Sequence, residues 1–342
     1  MTLDAEVRRL ELATDRPFTI SRGTSTATEV VVVELGDGEH TGVGAAGPAR
    51  HYGETAATVE AVMPDLLAVA REVDPDETRR LDRRLRETVR RNPAARCAVS
   101  IAAHDLAGKR RDLPLHRRYG LDPDAAPRTS FTVAIDDPEA MAAAAGEAVD
   151  AGHRVLKVKL GTDRDRERLT AVREAAPDAR IRVDANEAWT PKEAVTNAAW
   201  LADADVEFLE QPVPASDPEG LRYVYEHAEV PIAVDESVER PEDVPAVADR
   251  ADVAVCKLMK CGSVDAAVAF AQTARACGLE PMLGCMLESS ASIAAGAALA
   301  PLFDYVDLDG SLLLAEDPYE GPVAADGRIE LTERPGTGAR ER

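Results

Sequence analysis

Three carboxylates, Asp184, Glu210 and Asp235, stand at the ends of short apolar runs, ARIRVD, VEFLE and PIAVDE. Lysines bracket them: Lys157 and Lys159 in RVLKVKL before, Lys257 in VAVCKL after. If these runs are strands of one parallel sheet, their carboxyl ends share a rim and the side chains converge. Three converging carboxylates without a cation repel one another and force protonation. Oxygen donors completed by water and substrate suit Mg²⁺ better than zinc; buried salt bridges to the many arginines are the structural alternative. Lys157 and Lys159 lie two residues apart and share a strand face. Paired ammonium groups near a metal are expected to depress each other's pKa and leave some neutral amine able to take a proton.

Such a set has a definable reaction. A substrate carboxylate neutralised by Mg²⁺ has an acidified neighbouring C–H, and proton removal gives an enediolate held by the metal and nearby cations. Lys159 on one face and Lys257 on the other permit removal and return from opposite sides, which inverts the carbon. The chain has only six lysines, and Lys157, Lys159, Lys257 and Lys260 occupy just two of these run ends. Lys260 is assigned to solvent or to a supporting contact. Asn186, two residues past Asp184, either orients that ligand or a water, or caps a helix before Pro191.

The elements that must position these residues are legible from about residue 128 onward. TSFTVAI, RVLKVKL, ARIRVD, VEFLE, PIAVDE, VAVCKL, EPMLGC and DYVDLD are eight strand-like runs separated by helical stretches, which predicts a parallel (β/α)₈-type barrel. Lys159, Asp184, Glu210, Asp235, Lys257, Cys285 and Asp309 mark successive run ends, 25, 26, 25, 22, 28 and 24 residues apart. One βα unit separates each from the next. The preceding part reads as α+β: strands over 28–35 and 40–46 around Gly36-Asp37-Gly38, then helical patterns near 53–72, 77–91 and 95–110. The organisation expected is an α+β domain over 1–125, a β/α barrel over 126–310, and a segment over 311–342 returning to the first domain.

Composition narrows the partners. With 62 Asp+Glu against 40 Lys+Arg among 342 residues, the formal net charge is −22. That excess repels phosphate backbones and anionic lipid, so nucleic acid and membrane surfaces are not expected partners. No stretch has the length and apolarity of a transmembrane helix, and the charged amino terminus lacks a secretory h-region, so a cytoplasmic location is expected. Basic charge carried by 34 Arg and 6 Lys, beside so many carboxylates, suggests a halophilic source. Five cysteines without a C-x-x-C read as reduced, packed thiols.

The motifs VKVKL, VDANEAW, EFLEQPV, AVDES and CKLMKCGS together resemble the enolase superfamily, in its muconate lactonizing subgroup. The resemblance spans nearly the whole chain and implies a modified TIM barrel with an N-terminal α+β capping domain, to which the Asp105–Lys109 segment (DLAGK) contributes. It implies Asp184, Glu210 and Asp235 as ligands of Mg²⁺, Lys159 and Lys257 as the acid/base pair, and Lys157 as the cation assisting the substrate carboxylate.

Subgroup chemistry ranges over cycloisomerisation, succinylbenzoate formation, N-acylamino acid racemisation and dipeptide epimerisation. Asp307 and Asp309, in DYVDLDG, are two apart and share a face, so they could hold an α-ammonium, or simply end a strand before Gly310. This D-x-D resembles the dipeptide epimerases' site for the free amino terminus. Arg22, in PFTISRGTSTATEVVVVE, resembles the capping-loop arginine such enzymes use for an acidic side chain, with a plain surface position as the alternative. His51-Tyr52-Gly53-Glu54 resembles the other capping loop, with Tyr52 walling the pocket. In GCMLESS, Cys285 and Met286 are expected to line the site, and Glu288 to contact Lys257 or form a structural salt bridge. The expectation is a Mg²⁺-dependent dipeptide epimerase acting at the α-carbon of the C-terminal residue, with L-Ala-D/L-Glu as lead substrate and a homo-oligomer possible. N-acylamino acid racemase or o-succinylbenzoate synthase are the alternatives, and a non-catalytic anion-binding barrel the reading from another class.

Overall fold

The computed structural model describes residues 3–342. Strands β1 (Asp4–Ile20), β2 (Gly23–Gly36) and β3 (Thr41–Ala46) form an antiparallel sheet in that order. The β-branched run Val30–Val33 at its centre is wholly buried. β1 eludes the sequence reading because its apolar residues are diluted by charge, and only Leu12 in it is buried. Its register comes from β2, running from Asp4 opposite Gly36 to Ile20 opposite Gly23.

Helices α1 (Ala56–Glu72), α2 (Thr78–Thr88) and α3 (Pro93–Arg110) follow, near the predicted spans. α1 opens with a reciprocal cap, Thr55 and Thr58 each bonding the other's backbone N–H. α3 lies so close on β3 that a Cβ at Gly42 or Gly44 would overlap the carbonyls of Ala102 or Ala98. Close approach, not a turn, is what those two glycines permit.

After a short α4 (Leu115–Arg118), eight parallel strands follow: β4 (Phe131–Val133), β5 (Val155–Lys159), β6 (Arg180–Asp184), β7 (Val206–Glu210), β8 (Ile232–Val234), β9 (Val253–Lys257), β10 (Glu280–Gly284) and β11 (Tyr305–Asp307). Each pairs with the next in sequence, and a parallel bridge of Thr129 with Val306 brings β4 back to β11. The connecting helices are α5 (Pro138–Asp150), α6 (Asp165–Ala175), α7 (Pro191–Asp203), α8 (Pro218–His227), the short α9 (Leu258–Cys261), α10 (Val264–Ala276) and α11 (Ser290–Leu299).

One connection departs from the expected alternation. Between β8 and β9 a 3₁₀ stretch, Pro241–Ala246, replaces the helix. Pro245 has no N–H to give to an α-helical ladder, and this is the interval where the marker spacing is shortest, 22 residues.

Inside the barrel, the strand period of two separates a lower apolar layer from an upper polar one. Phe208, Ala233, Val253, Val255 and Met282 pack below, with Tyr305 against them. The lower layer holds one cation, Arg182, 5.2 Å from the Phe208 ring centre and 5.0 Å from that of Tyr305, with Glu207 at 2.7 Å. Its charge is met by π-faces and a carboxylate. Two residues further along their strands, Asp184 and Glu210 belong to the upper layer.

The C-terminal segment runs back to the first domain. Strands β12 (Tyr319–Glu320) and β13 (Arg340–Glu341) pair. Thr337 gives its N–H and hydroxyl to the buried Asp105 carboxylate on α3, at 2.7 and 3.0 Å. Glu341 and the Tyr319 hydroxyl both meet Arg8 of β1. α11 is buried on every side, which accounts for its Ala/Gly-rich, non-amphipathic sequence. Among the described residues, no helix is long and apolar enough to cross a membrane. All five cysteines are free thiols, with Cys97, Cys256 and Cys261 buried.

Candidate active site

The upper layer of the barrel brings the bracketing lysines and the three carboxylates together. Lys159 donates to Asp184 at 2.6 Å and Lys257 to Asp235 at 2.7 Å. Lys157 lies between Glu210 and Asp307, 2.9 Å from each, and 3.1 Å from Asp184. Strand order sets this arrangement: β5 carries Lys159 on one side of the carboxylate strands β6 to β8, and β9 carries Lys257 on the other. Gly284 leaves room for Lys257, since a Cβ there would press on its side chain.

Lys260 takes the supporting role, wholly buried beneath Asp235. It donates to the Asp235 carboxylate at 2.5 Å, to the carbonyl of the same residue at 2.6 Å and to Val238 O at 2.8 Å. It thereby holds both the end of β8 and its side chain.

The loops leaving β6 and β7 are backbone-strained. Asn186, Glu187 and Gln211 adopt φ of 43°, 69° and 37°, a region side chains enter only when their surroundings hold them there. Gln211 shows how they are held. Its side-chain oxygen accepts from Asp235 N–H and Ser237 N–H, while its amide donates to Val213 O and the Ser237 hydroxyl. One side chain ties two strand ends together with all four of its amide hydrogen-bonding positions used. Asn186 meets Asp184 through its backbone N–H at 2.9 Å and accepts from Lys159 at 3.2 Å, so it orients that carboxylate and does not cap α7, which Thr190 caps.

Contact with carboxylates dominates the electrostatics of Lys157 and Lys257. Burial pulls Lys157 down, but Asp307, Glu210 and Asp184 outweigh it and hold the ammonium well above the usual lysine range. Burial and Lys157 likewise lower Lys257, and Asp235 overcomes both. Mutual repulsion between ammonium groups is real but smaller than direct contact with carboxylates. Burial raises Asp184 and Asp235, yet their lysine partners bring both below the ordinary carboxylate range. Glu210 is the exception: burial and then Asp184 push it upward despite Lys157. Three buried oxygen-donor side chains, one of them short of positive charge, fit a hard divalent cation.

Asp307 and Asp309 line the cavity above this layer, which has a volume of about 500 Å³. Asp307 accepts from the Ser130 hydroxyl and Lys157, while Asp309 accepts from Thr132 N–H at 2.6 Å. Burial, followed by Asp307, pushes the Asp309 carboxyl upward, so this pair is electrostatically suited to an incoming cation. Cys285, Met286, Tyr52 and Arg22 line the same cavity.

Arg22 sits at the tip of the β1–β2 hairpin, next to Gly23, whose φ of 141° needs a glycine. It reaches across to the barrel, 2.8 Å from the buried Glu236, 3.3 Å from Glu187 and 3.2 Å from Asn186 O. Glu288 differs from both of its expected roles. It makes neither a contact with Lys257 nor a salt bridge, but accepts from Met286 N–H at 2.8 Å and the Ser292 hydroxyl at 2.7 Å. Burial raises it from the ordinary carboxylate range to about 7, so its charge is weakened where it shapes the wall. Sequence reasoning gave no role to Glu236, Gln211 or Thr132. All three stand inside quoted runs or motifs, but nothing in their spacing marks them apart from their neighbours.

The arrangement defines a class. Residues 140–340 match the enolase C-terminal domain-like family and residues 4–120 the mandelate racemase/muconate lactonizing enzyme N-terminal domain, and the chain belongs to this superfamily. More narrowly, it is similar to the L-Ala-D/L-Glu epimerase of Bacteroides thetaiotaomicron, 34% identical over 331 residues, covering 96% of this chain and 85% of that one. It is also 39% identical over 350 residues to the L-Lys-D/L-Arg epimerase of Methylococcus capsulatus, covering 98% of each. Among solved structures, the dipeptide epimerase from Enterococcus faecalis complexed with Mg and L-Leu-L-Tyr superimposes with a TM-score of 0.93 at 34% identity, covering 99% of both chains.

Proposed function

We propose that the chain is a Mg²⁺-dependent dipeptide epimerase that inverts the α-carbon of the C-terminal residue, with L-Ala-D/L-Glu as lead substrate. The observation that carries this is the pair of lysines, Lys159 and Lys257, flanking the carboxylate trio from opposite strands, under a cavity lined by Asp307 and Asp309. Asp184, Glu210 and Asp235 would hold the cation. When bound, Mg²⁺ supplies positive charge that neutralises these carboxylates and the substrate carboxylate, acidifying the α-C–H and easing deprotonation of the lysines.

This chain's own residues do the rest. One lysine removes the α-proton as its Nζ becomes –NH₃⁺, and the opposite lysine delivers a proton to the other face. Lys157 compensates charge that develops on the substrate carboxylate, from a fixed position between strands. Asp307 and Asp309 receive the dipeptide's free ammonium, which fixes which residue's α-carbon lies between the lysines. Arg22 faces the cavity from the hairpin tip, where it can meet a side-chain carboxylate, although Glu236 and Glu187 already share its charge.

Proton NMR in D₂O with Mg²⁺ and a small set of L,L-dipeptides containing Ala-Glu tests the reading. Deuterium at the C-terminal α-carbon with a new diastereomer signal is the expected result. Folded protein that exchanges no dipeptide, but does exchange N-acylamino acids, would turn the reading to the racemase alternative, which has no use for an ammonium-binding aspartate pair.

A further inference from the structure

On the far side of the domain junction, α2, α3 and α10 bring Asp82, His104 and Asp265 together, and one donor atom from each lies within 4.8 Å of the others. The His104 side chain is fully buried, and neither ring nitrogen has a hydrogen-bond partner. Its Nε2 points at Asp265 Oδ2 from 3.6 Å, beyond a hydrogen bond. That oxygen and both carboxylate oxygens of Asp82 are also unpartnered. A fully buried imidazole with neither nitrogen hydrogen-bonded, facing two carboxylates, is costly unless a further group satisfies it.

We propose that Asp82, His104 and Asp265 form a second metal site, for a first-row dication of the zinc class, which clips the α+β domain to the barrel. One imidazole nitrogen with two carboxylate oxygens is a borderline donor set, unlike the all-carboxylate set at the barrel mouth. Bonds of about 2.0–2.2 Å place tetrahedral ligand atoms roughly 3.3–3.6 Å apart, so at most about 1.2–1.5 Å of contraction brings a pair from the 4.8 Å limit to that spacing. Supporting groups already orient the donors. The Tyr119 hydroxyl bonds the other Asp265 oxygen at 2.7 Å, and the Tyr119 ring stacks on His104. The hydroxyls of Ser100 and Ser263 neighbour Asp82, whose carboxyl burial raises to about 6. A cleft of about 450 Å³, lined by Asp82, Asp265 and Ser263 and rimmed by Arg79 and Arg83, gives entry.

The ligands come from three helices in two domains. Metal binding would therefore act on the docking of the domains and not on the chemistry at the mouth. The rival arrangement is a direct contact of His104 with Asp265, 3.6 Å apart, which needs no metal.

The test uses full-length protein stripped with EDTA, returned to saturating Mg²⁺, and titrated with Zn²⁺ against a chromophoric chelator. The Glu210→Gln background removes competition from the barrel mouth. One equivalent of Zn²⁺ is expected in both wild type and Glu210→Gln, with a melting temperature raised by several degrees. Affinity should fall at least tenfold in His104→Gln and in the near-isosteric Asp82→Asn. No Zn²⁺ uptake by the Glu210→Gln protein overturns the proposal whether or not the other variants fold. Zn²⁺ retained at wild-type affinity in folded His104→Gln also overturns it, placing the metal elsewhere, as on the buried thiols.

Discussion

The barrel mouth and the cover above it are built on different principles. Mouth residues sit on strand ends whose register is fixed by neighbours on both sides, and they are held by ion pairs of 2.5 to 3.1 Å. Cover residues Arg22 and Tyr52 come from a hairpin tip and a short 3₁₀ turn of the other domain, and reach the mouth across a junction. Rigid strand ends suit groups that must meet a reacting carbon within a fraction of an ångström. Loops from a second domain suit contacts that vary with the substrate. The three similar enzymes named above act on or bind dipeptides with acidic, basic and apolar side chains.

The largest effect expected is at the mouth. Lys159→Ala and Lys257→Ala should each lower epimerisation by roughly 10³-fold or more, in kcat, since each removes a proton carrier from one face. Residual α-deuterium exchange, followed by NMR, should be confined to one diastereomer, and to the opposite one in the other variant. Exchange of both diastereomers at wild-type rates in either variant would dissolve the distinction between mouth and cover.

Next comes the aspartate pair, where the mouth meets the substrate's far end. Asp307→Asn with Asp309→Asn should reduce kcat/KM for dipeptides by about 30- to 1,000-fold, the range for breaking a buried charge pair. N-acylated analogues, which lack the ammonium, should lose far less. Equal losses on both substrates would mean that the pair merely holds Lys157, which Asp307 contacts directly.

Arg22→Met samples the cover. An increase of about tenfold in KM for Ala-Glu is expected, with kcat within a factor of two or three and little change for apolar dipeptides. A kcat loss rivalling that of the lysine variants would show that Arg22, through Asn186 and Glu236, positions the mouth itself.

The same division explains what could be read from the sequence. The barrel and its upper polar layer were legible because strand ends recur at nearly constant spacing and carry rare residue types: four of six lysines fall at two of them. Asp184, Glu210 and Asp235 needed only the period of a βα unit to be placed together. β1 was not legible, since its charged sequence is a strand only by pairing with β2, a long-range contact. The role of Glu288 was not legible for a related reason: a carboxylate in GCMLESS was expected to find a charge partner, whereas the fold gives it a backbone N–H and a serine hydroxyl. Arg22's partner Glu236 depends on how two domains dock, which no local pattern encodes.

Docking also produces the smallest effect, on stability and not on turnover. Glu54 is buried where the cover turns into α1, accepts from Ala94 N–H at 3.1 Å, and leaves its other oxygen unpartnered. Burial raises its carboxyl from the ordinary 4.5 to about 7, against the lowering influence of the backbone N–H groups. Between those values the folded state keeps a proton that the unfolded chain has released, so stability falls as pH rises. Glu54 therefore favours folding most below about pH 4.5 and costs most above about pH 7. Glu54→Gln should remove that slope and stabilise the protein by about 2 kcal/mol at pH 8 relative to pH 4.5, measured by urea unfolding at both pH values. At pH 8 the variant's kcat should match the parent's, because the cover shapes the site without supplying its proton chemistry. An unchanged pH slope would mean that the buried carboxyl is ionised and satisfied, and that the α1 end of the cover carries no electrostatic strain.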